Sequence, residues 1–495
     1  MRARWAAGAA LVVALGLVLG YVAASMRLYR AGFPLDDAWI HQTYARELRV
    51  RGHWAYRPDG QGRGGVTAPL WVMALALSQA VLRAPGPAAW VWGTLALAAL
   101  ATLAWAWPGL TPRARWVAWA AVLGEWHLVW AAASGMETAA FAAVAFASLA
   151  ALARPQPRWR LAGLAAGVAV WLRPEGVLLA LPAAWRAMGE LGPWRMRAHK
   201  VARFVVPLTL AVLAYVAFHR ALLGVWWPTT GQAKIAEYAI LRQRPLLSRW
   251  ARVVFPILVG PGWIWLLFAL GNGFVSLRRG SRARWFRDPS SLLLLWALTH
   301  TGAYAWALPV TYQHGRYVMP VLPAVVLAGV LAWQRWARAA QQGRARRLQF
   351  AGIALALGLT VGFLPLGARA FAWDVAFIES EMVDTARWVA QHVPPDAVVA
   401  AHDIGALGYY APQPLADLAG LLSPEVIPFI RDEEALARWL VTQQARYLVT
   451  FPGWYERLDA CSTPLFVTRA PFAPKLGGEN MVVYRWQPCP TPAAR

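Results

Sequence analysis

The sequence predicts a polytopic α-helical membrane protein that ends in a small α/β domain. Of its 495 residues, 59% are hydrophobic and only 15% are charged, whereas a soluble protein has about a quarter of its residues charged. The apolar residues gather in runs near the ~20 residues that a helix needs to cross a bilayer. Only the last part of the chain alternates between strand-sized and helix-sized patterns. The same composition, with just two cysteines, excludes a disordered chain and a disulfide-rich scaffold.

The net charge of +24 has the magnitude of a nucleic-acid-binding protein, but its distribution along the chain does not fit one. Residues 374–495 carry 14 Asp and Glu against 9 Lys and Arg. The rest of the chain holds its Arg residues in short clusters between apolar runs, which is the pattern of the positive-inside rule. The basic charge therefore reports orientation and contact with anionic lipid, and we expect no nucleic-acid partner.

Nine apolar runs have lengths close to that of a membrane span. They are residues 5–25, 88–107, 116–133, 135–153, 203–223, 251–277, 290–308, 317–336 and 348–370. Two shorter runs, 161–173 and 175–188, are separated by Arg173-Pro174-Glu175-Gly176 and predict two helices that meet at a membrane face. The run 68–82 has about 15 residues, which is short for a crossing helix.

Charge decides whether residues 68–82 cross the membrane. If they do not, 22 Arg and Lys residues fall on the side of the N-terminus against only Glu190 and Asp288. If they do, most of these basic clusters lie outside, against the positive-inside rule. The sequence therefore predicts about eleven spans, a cytoplasmic N-terminus, an external C-terminus and an interfacial or re-entrant helix at 68–82. A retained signal-anchor is favoured over a cleaved signal peptide at the N-terminus.

The predicted domains are a transmembrane domain, 1–370, with its first outer loop at 26–67, and an external α/β domain, 371–495. In the external domain, strand-sized runs at 397–401, 446–450, 463–468 and 481–486 accompany helical patterns at 375–392 and 432–444. An external compartment permits a disulfide between Cys461 and Cys489. The sequence leaves open whether these two cysteines lie close together.

The first outer loop contains the adjacent acids Asp36 and Asp37, directly before an amphipathic helical pattern. One interpretation is that they cap this helix, since Asp is a preferred N-cap residue. We favour a functional role, because one cap does not need two acids and ionisable groups at membrane depth are usually functional. Such a carboxylate is suited to act as a general base that deprotonates a hydroxyl nucleophile. His53 is a further polar candidate in this loop.

Two other outer segments combine acidic and basic candidates with structural alternatives. Ser134 and Glu137 have the spacing of a capping box, so a structural role is at least as well supported as a functional one. Arg173 and Glu175 lie at the helix break between 161–173 and 175–188. They form either a local ion pair or part of a site.

Cations in the outer loops predict a site for a phosphate group. Lys234 ends the segment WWPTTGQAK, and His314 and Arg316 lie in YQHGRYVMPVLP. Together with Arg173 they would bind a diphosphate or phosphodiester near the membrane. The alternative for Arg316 is a side chain that snorkels at a helix end. No P-loop or dinucleotide-binding fingerprint is present, because GQGRGG at 60–65 lacks the strand and helix that such motifs need.

Taken together, these segments resemble the GT-C superfamily of polytopic glycosyltransferases that use polyprenyl-phosphate sugars. Within it, the chain is most similar to the bacterial group of terminal arabinofuranosyltransferases and protein-mannosyltransferase-like enzymes. The resemblance is carried, in order, by DDAWIHQTYARELRVRGHWAY, VTAPLW, SGMET, WLRPEG, WWPTTGQAK, HGRYVMPVLP, HDIGALGYY and DLAGLLSPE. It implies that an Asp of the acidic motif is the catalytic base. We assign that role to Asp36, with Asp37 as the adjacent candidate.

The resemblance implies an inverting transfer of a sugar from a polyprenyl phosphate to an acceptor hydroxyl of a cell-envelope glycan, lipid or protein. The reaction would take place at the outer face of the plasma membrane. The residues expected to bind the donor phosphate are Lys234, Arg316, His314 and Arg173, and those expected at other parts of the substrates are Glu137, Glu175 and His53.

Some members of the superfamily need a divalent metal such as Mg²⁺ or Mn²⁺ and others do not, and Asp37 with Glu137 would be a site for one. Two other functions stay open at this point. One is a membrane transporter, and the other is an outer-face ligase that transfers a whole glycan from a lipid diphosphate. A transporter is expected to show repeat symmetry and polar residues within its spans. This chain shows no apparent repeat and gathers its ionisable residues at one face.

Overall fold

The computed structural model describes residues 2–57, 62, 64–279, 282–339 and 343–489. The chain divides into two compact units. The unit that we call the helical unit comprises Met1–Tyr21, Ala89–Ala217 and Leu241–Arg369. The other, which we call the mixed unit, comprises Val22–Ala88, Phe218–Ile240 and Ala370–Arg495. The predicted domain bounds, 1–370 and 371–495, stay a prediction.

The helical unit consists of apolar helices joined by short connections. Its helices, including those that continue into the mixed unit, are Arg2–Leu28, Pro85–Trp105, Pro112–Leu123, Trp126–Ala133, Thr138–Leu152, Trp159–Leu172, Ala180–Met188, Trp194–Leu223, Leu246–Leu258, Gly262–Arg279, Arg282–Arg287, Pro289–Ala307, Tyr312–Gly315, Leu322–Ala339 and Arg344–Ile378. Short 3-10 turns at Ala239–Gln243 and Pro174–Leu179, and another at Met319–Val321, connect some of them. Every apolar run that the sequence predicts to span the membrane overlaps one or two of these helices.

Five helices within the described residues are long and apolar enough to cross a membrane. They are Ala3–Leu28, Pro85–Trp105, Trp194–Leu222, Tyr312–Ala339 and Arg346–His392. A sixth span is added if the bent pair Leu246–Leu258 and Gly262–Gly273 is counted as one. The other predicted spans contain shorter or less apolar helices, so the number eleven stays a prediction.

The run 251–277 is a bent pair of helices rather than the single helix that its hydropathy predicts. The axes of Leu246–Leu258 and Gly262–Gly273 differ by 120°. Pro256 lies inside the first helix and removes a backbone donor there. Gly260 follows with a φ of 111°, a conformation that side chains disfavour, and Pro261 comes next. Hydropathy alone does not report this break.

The run 116–133 is also interrupted, at the buried Glu125. The helix Pro112–Leu123 ends there, and Trp126–Ala133 begins after Glu125 adopts an extended conformation. The Glu125 carboxylate lies 2.7 Å from Nδ1 of His127, whose Nε2 lies 3.0 Å from the carbonyl oxygen of Pro256. These polar groups are therefore partners of one another within the helical unit.

The mixed unit begins with two helices from the first outer loop. The helix Asp37–Arg51 ends at Gly52, whose left-handed conformation (φ 68°) allows its N–H to donate to the carbonyl of Leu48. The helix Pro69–Leu82 has 14 residues, starts at a proline and packs on the first. Its length agrees with the prediction that residues 68–82 form a helix too short to cross a bilayer.

The remaining elements of the mixed unit are short helices around a sheet. The helical segments are Thr229–Glu237, Glu379–Val383, Asp384–His392, Gly405–Tyr410, Pro424–Phe429, Glu433–Thr442, Glu456–Asp459 and Phe472–Lys475. The strands are β1 (Val398–Ala401), β2 (Leu415–Asp417), β3 (Ala445–Thr450), β4 (Thr463–Val467) and β5 (Val482–Arg485). Four of them lie where the sequence predicts strands. The three-residue β2 was not predicted.

The strand order of the sheet is β2-β1-β3-β5-β4. Strands β2, β1 and β3 are parallel, while β5 and β4 pair in antiparallel fashion. Because β1 and β2 are parallel, their carboxyl ends meet at one edge of the sheet. His402 and Asp403 follow β1, and Asp417 ends β2, so this edge collects polar groups, as is typical of open α/β sheets.

A continuous helical segment connects the last predicted span to the sheet. The helix Arg344–Ile378 passes through a π-helical turn, Glu379–Val383, into Asp384–His392. Within that turn, the buried Glu381 accepts hydrogen bonds from the backbone N–H of Met481 at 2.9 Å and the side-chain amide of Asn480 at 3.0 Å. These bonds fasten the helix to the segment that precedes β5.

Cys461 and Cys489 form a disulfide, with their Cα atoms 5.2 Å apart. This answers the question that the sequence leaves open. The bond joins the segment before β4 to the segment after β5.

Candidate active site

The acidic pair lies at the start of the helix Asp37–Arg51, but Asp36 does not cap that helix through its side chain. Its two carboxylate oxygens instead accept the backbone N–H groups of Gly405 and Ala406, at 2.5 and 2.7 Å. Only 8% of Asp36 is exposed. Burial, aided by the nearby Asp403 carboxylate, raises the pKa of Asp36 to about 8, although the two amide hydrogen bonds act in the opposite direction.

Asp37 is the more accessible of the two acids. Its carboxylate lies 3.0 Å from the ammonium of Lys234, and the two side chains are 26% and 22% exposed. The interaction joins the first outer loop to the helix Thr229–Glu237. A proton acceptor and a cation suited to an anionic ligand therefore lie side by side at a partly open position.

The helix Thr229–Glu237 makes a second charged contact one turn after Lys234. Glu237 lies 3.2 Å from Nε2 of His402, and Nδ1 of His402 lies 3.5 Å from Asp403. Burial lowers the pKa of His402, but hydrogen bonds to Asp403 and Glu237 outweigh it and raise that pKa well above its usual value. His402 therefore lies between the carboxylates of Glu237 and Asp403.

Two glycines of the segment HDIGALGYY allow the short helix Gly405–Tyr410 to approach the first outer loop. A Cβ atom on Gly405 would lie 2.1 Å from the backbone oxygen of Asp36 and 2.7 Å from its carboxylate. One on Gly408 would lie 2.1 Å from the hydroxyl oxygen of Tyr56. Neither position has room for a side chain.

A second polar cluster lies in the helical unit around Arg173. Its guanidinium is 2.8 Å from Glu175 and 3.7 Å from Glu137, and it donates to the hydroxyl of Tyr304 at 3.0 Å. The local ion pair expected at this helix break is thus present. Ser134 is the C-cap of the helix Trp126–Ala133 and Glu137 directly precedes the helix Thr138–Leu152, so the two residues do not have the N-cap and N3 positions of a capping box.

Arg316 and His314 have aromatic neighbours in the same unit. Arg316 donates to the hydroxyl of Tyr317 at 2.9 Å, and its guanidinium carbon lies 4.8 Å from the centre of that ring. The ring of Tyr317 also lies 5.4 Å from the guanidinium of Arg173, so both cations border one aromatic side chain. His314 has a φ of 58° and contacts the rings of Trp126 and Trp130 edge to face.

The structure thus brings the predicted site residues together in two groups. Asp36, Asp37 and Lys234 meet in the mixed unit, whereas Arg173, Glu137, Glu175 and Arg316 gather in the helical unit. His53 is exposed in the mixed unit.

A divalent metal would need several oxygen or nitrogen ligands in one place. Within residues that the structure describes, no three His, Cys, Asp or Glu side chains form such a group. Asp37 faces Lys234 and Glu137 faces Arg173, so each of the two acids proposed as ligands has a cation beside it. The described residues therefore do not form a fitting metal site, and metal dependence stays a prediction.

Residues 369–484 match the family described as Domain of unknown function (DUF8728). No curated protein matches the sequence. ArnT from Cupriavidus metallidurans, in its crystal structure with undecaprenyl phosphate, is 14% identical with a TM-score of 0.60, over 96% of this chain and 98% of that chain. The Archaeoglobus fulgidus oligosaccharyltransferase in the apo form is 13% identical with a TM-score of 0.55, over 90% of this chain and 69% of that one. The chain has the GT-C fold.

This GT-C fold confirms the predicted fold class, a multi-pass α-helical membrane protein with a C-terminal α/β region. The sequence names both acids and Lys234, but it does not predict that Asp37 and Lys234 form a pair. Glu237, Gly405 and the contact between His402 and Glu237 were missed. The one available signal was HDIGALGYY itself, a glycine-containing segment directly after a predicted strand.

Proposed function

We propose that this GT-C protein is an inverting glycosyltransferase that moves a sugar from a polyprenyl-phosphate donor to an acceptor hydroxyl. The acceptor is a cell-envelope glycan, lipid or protein at the outer face of the plasma membrane. The observation that carries the proposal is the ion pair between Asp37 and Lys234, 3.0 Å apart and partly exposed. Sugar transfer from a phosphate needs both of these groups, a base for the hydroxyl and a cation for the leaving phosphate.

Asp37, rather than Asp36, is the better placed base. Both oxygens of Asp36 are occupied by backbone N–H groups and its side chain is buried. Asp37 is more exposed, and its partner Lys234 has a flexible side chain. A general base must come within hydrogen-bond distance of the proton that it removes. The geometry therefore favours Asp37, the second acid of the motif, as the proposed base in place of Asp36.

The reaction is a single displacement. The acceptor oxygen attacks the anomeric carbon while Asp37 takes its proton, and the bond between that carbon and the phosphate oxygen breaks. The new bond forms on the opposite face of the sugar, so the configuration inverts. The ammonium of Lys234 turns from Asp37 to the departing phosphate and stabilises its charge. Much of the acceleration comes from holding hydroxyl, sugar and phosphate in line.

The cluster around Arg173 is a second proposed binding site for a substrate. Arg316 and Arg173 border the ring of Tyr317 and offer guanidinium groups suited to phosphate or sugar oxygens. Because Arg173 lies beside two carboxylates, Glu175 and Glu137, it offers little net positive charge to a ligand. Glu137 stays a proposed substrate-binding residue, and His314 stays a proposed phosphate-binding residue.

The lipid part of the proposal has its support in the structure of ArnT, which is bound to undecaprenyl phosphate. The two chains share their fold over nearly their whole lengths. Undecaprenyl phosphate is a polyprenyl phosphate, so the same lipid class is a suitable carrier for the donor sugar here. The basic clusters of the sequence support a reaction at the outer face, through the positive-inside rule.

The experiment is a transfer assay with the purified full-length protein in lipid nanodiscs. A panel of polyprenyl-phosphate pentoses and hexoses is supplied with envelope glycan fragments, and products are identified by mass spectrometry. We expect one donor to be consumed, and Asp37→Asn to lower the rate by on the order of 10²–10⁴-fold. Asp432→Asn is the matched control, because Asn caps a helix as well as Asp.

Three results would contradict the proposal. Transfer only from a lipid diphosphate would identify the ligase alternative. Movement of an unmodified solute or lipid across the membrane, with no transfer from any donor, would identify the transporter. Full activity of Asp37→Asn would remove Asp37 from the reaction.

A further inference from the structure

The carboxylate of Asp36 connects the start of the first outer-loop helix to the C-terminal sheet region. The N–H groups that it binds belong to Gly405 and Ala406, at the start of the short helix that follows β1. These partners are separated from Asp36 by 369 and 370 positions in the sequence. Because Asp36 and Asp37 are consecutive, the bonds also restrict the backbone of Asp37. We call this pair of hydrogen bonds the amide pair.

The amide pair depends on the absence of a side chain at position 405. The Cβ of any other residue would lie 2.1 Å from the backbone oxygen of Asp36, far inside contact distance. The obstacle is backbone on one side and a buried carboxylate on the other, so neither can give way by a rotamer change. Gly405 is therefore required by the close approach itself.

The helix Thr229–Glu237 makes a second connection between the acidic pair and the segment after β1. Lys234 contacts Asp37, and one turn later Glu237 contacts His402, three residues before Gly405. His402 thus contacts the helix that carries Lys234, while the amide pair holds the segment that carries Asp37. Both groups of the proposed reaction are positioned from the segment His402–Ala406.

We propose that Asp36 is a positioning residue through which the C-terminal α/β region sets the place of the catalytic Asp37. The proposal rests on the function proposed above. It makes the segment HDIGALGYY a part of the active site through the backbone N–H groups of Gly405 and Ala406. An Asn at position 36 cannot replace the carboxylate, because its amide nitrogen would face one of the two N–H donors.

Hydrogen exchange in the full-length protein tests the amide pair without reference to activity. Asp36→Asn should speed exchange of the peptide that contains Gly405 and Ala406, while exchange elsewhere in the sheet stays as in the unmodified protein. Gly405→Ala should do the same, because its Cβ separates the two partners. Gly478→Ala is the matched control, since its Cβ would meet its nearest neighbour at an ordinary 3.6 Å.

Kinetics then separate positioning from base catalysis and from loss of the donor site. Displacement of a reacting group by about 1 Å costs on the order of 10²-fold, so Asp36→Asn and Gly405→Ala should lower kcat by that order with the donor KM nearly unchanged. Gly478→Ala should leave both constants unchanged. In an Asp37→Asn background, Asp36→Asn should cause little further loss, because its effect acts through Asp37.

Unchanged exchange at Gly405 and Ala406 in Asp36→Asn would overturn the proposal. A further loss of activity of similar size in the Asp37→Asn background would also overturn it, since Asp36 would then act on the substrate directly. Failure of the proposed function looks different. In that case the unmodified protein transfers no sugar, yet the exchange results still follow the amide pair.

Discussion

Gly408→Ala tests the packing between the helix Gly405–Tyr410 and the first outer loop. The new Cβ would lie 2.1 Å from the hydroxyl oxygen of Tyr56 and 2.2 Å from two ring carbons. Tyr56 is 1% exposed, and its hydroxyl donates to the carbonyl of Ile404, so the ring has no free space to enter. Such overpacking costs about 1–3 kcal/mol, and loss of the Tyr56 hydrogen bond adds about 1 kcal/mol.

The assay is hydrogen exchange of the amides in the Gly405–Tyr410 helix, which gives the free energy of local opening. Tyr56→Phe is the control for the hydrogen bond alone and should cost about 1 kcal/mol. In a Tyr56→Ala background the ring is absent, so Gly408→Ala should stop being destabilising. It should then stabilise the helix by up to about 1 kcal/mol, which is the difference in helix propensity. Equal costs of Gly408→Ala in both backgrounds would refute the packing argument.

Three further predictions concern charge and covalent structure. Burial raises the pKa of Asp36 to about 8, so the folded protein binds that proton more tightly than the unfolded chain does, and the free energy of unfolding falls as the pH rises from about 4 to 8. Asp36→Asn should make the thermal midpoint less dependent on pH over this range, and an equal pH dependence in both proteins would contradict burial as the cause. Lys234→Ala should lower kcat/KM for the donor by on the order of 10²-fold, whereas Arg242→Ala, at an exposed position, should not. Equal losses in the two variants would indicate an effect of net charge rather than a specific role of Lys234. Reduction of the Cys461–Cys489 disulfide, whose cysteines are 28 positions apart, should lower the free energy of unfolding of the C-terminal region by about 3–4 kcal/mol. The reductant should have no effect on the stability of the double variant Cys461→Ser/Cys489→Ser.

Much of the fold could be predicted because its elements depend on local patterns. Apolar runs become helices, and four strand-sized runs become β1, β3, β4 and β5. The three-residue β2 escaped because so short a segment has no measurable alternation. The bend within 251–277 escaped because hydropathy averages over Pro256 and Gly260, whose effect is on backbone geometry.

The candidate site was predictable in its residue types but not in its pairings. Asp37 and Lys234 are 197 positions apart, so nothing local indicates that they meet. Asp36 has partners that are backbone N–H groups, which every residue except proline offers and which therefore leave no trace in the sequence. Only the glycine at position 405 marks the contact, and a glycine after a strand is also the ordinary mark of a turn.

The central claim, that Asp37 removes the proton of the acceptor hydroxyl, is tested most directly with azide as the acceptor. Azide has no proton to lose, so it needs no base. Asp37→Ala should fail with the hydroxyl acceptor yet form a glycosyl azide of inverted configuration from the same polyprenyl-phosphate sugar. An Asp37→Ala protein that binds the donor but transfers its sugar to neither acceptor, or that still glycosylates the hydroxyl at the original rate, would contradict the claim.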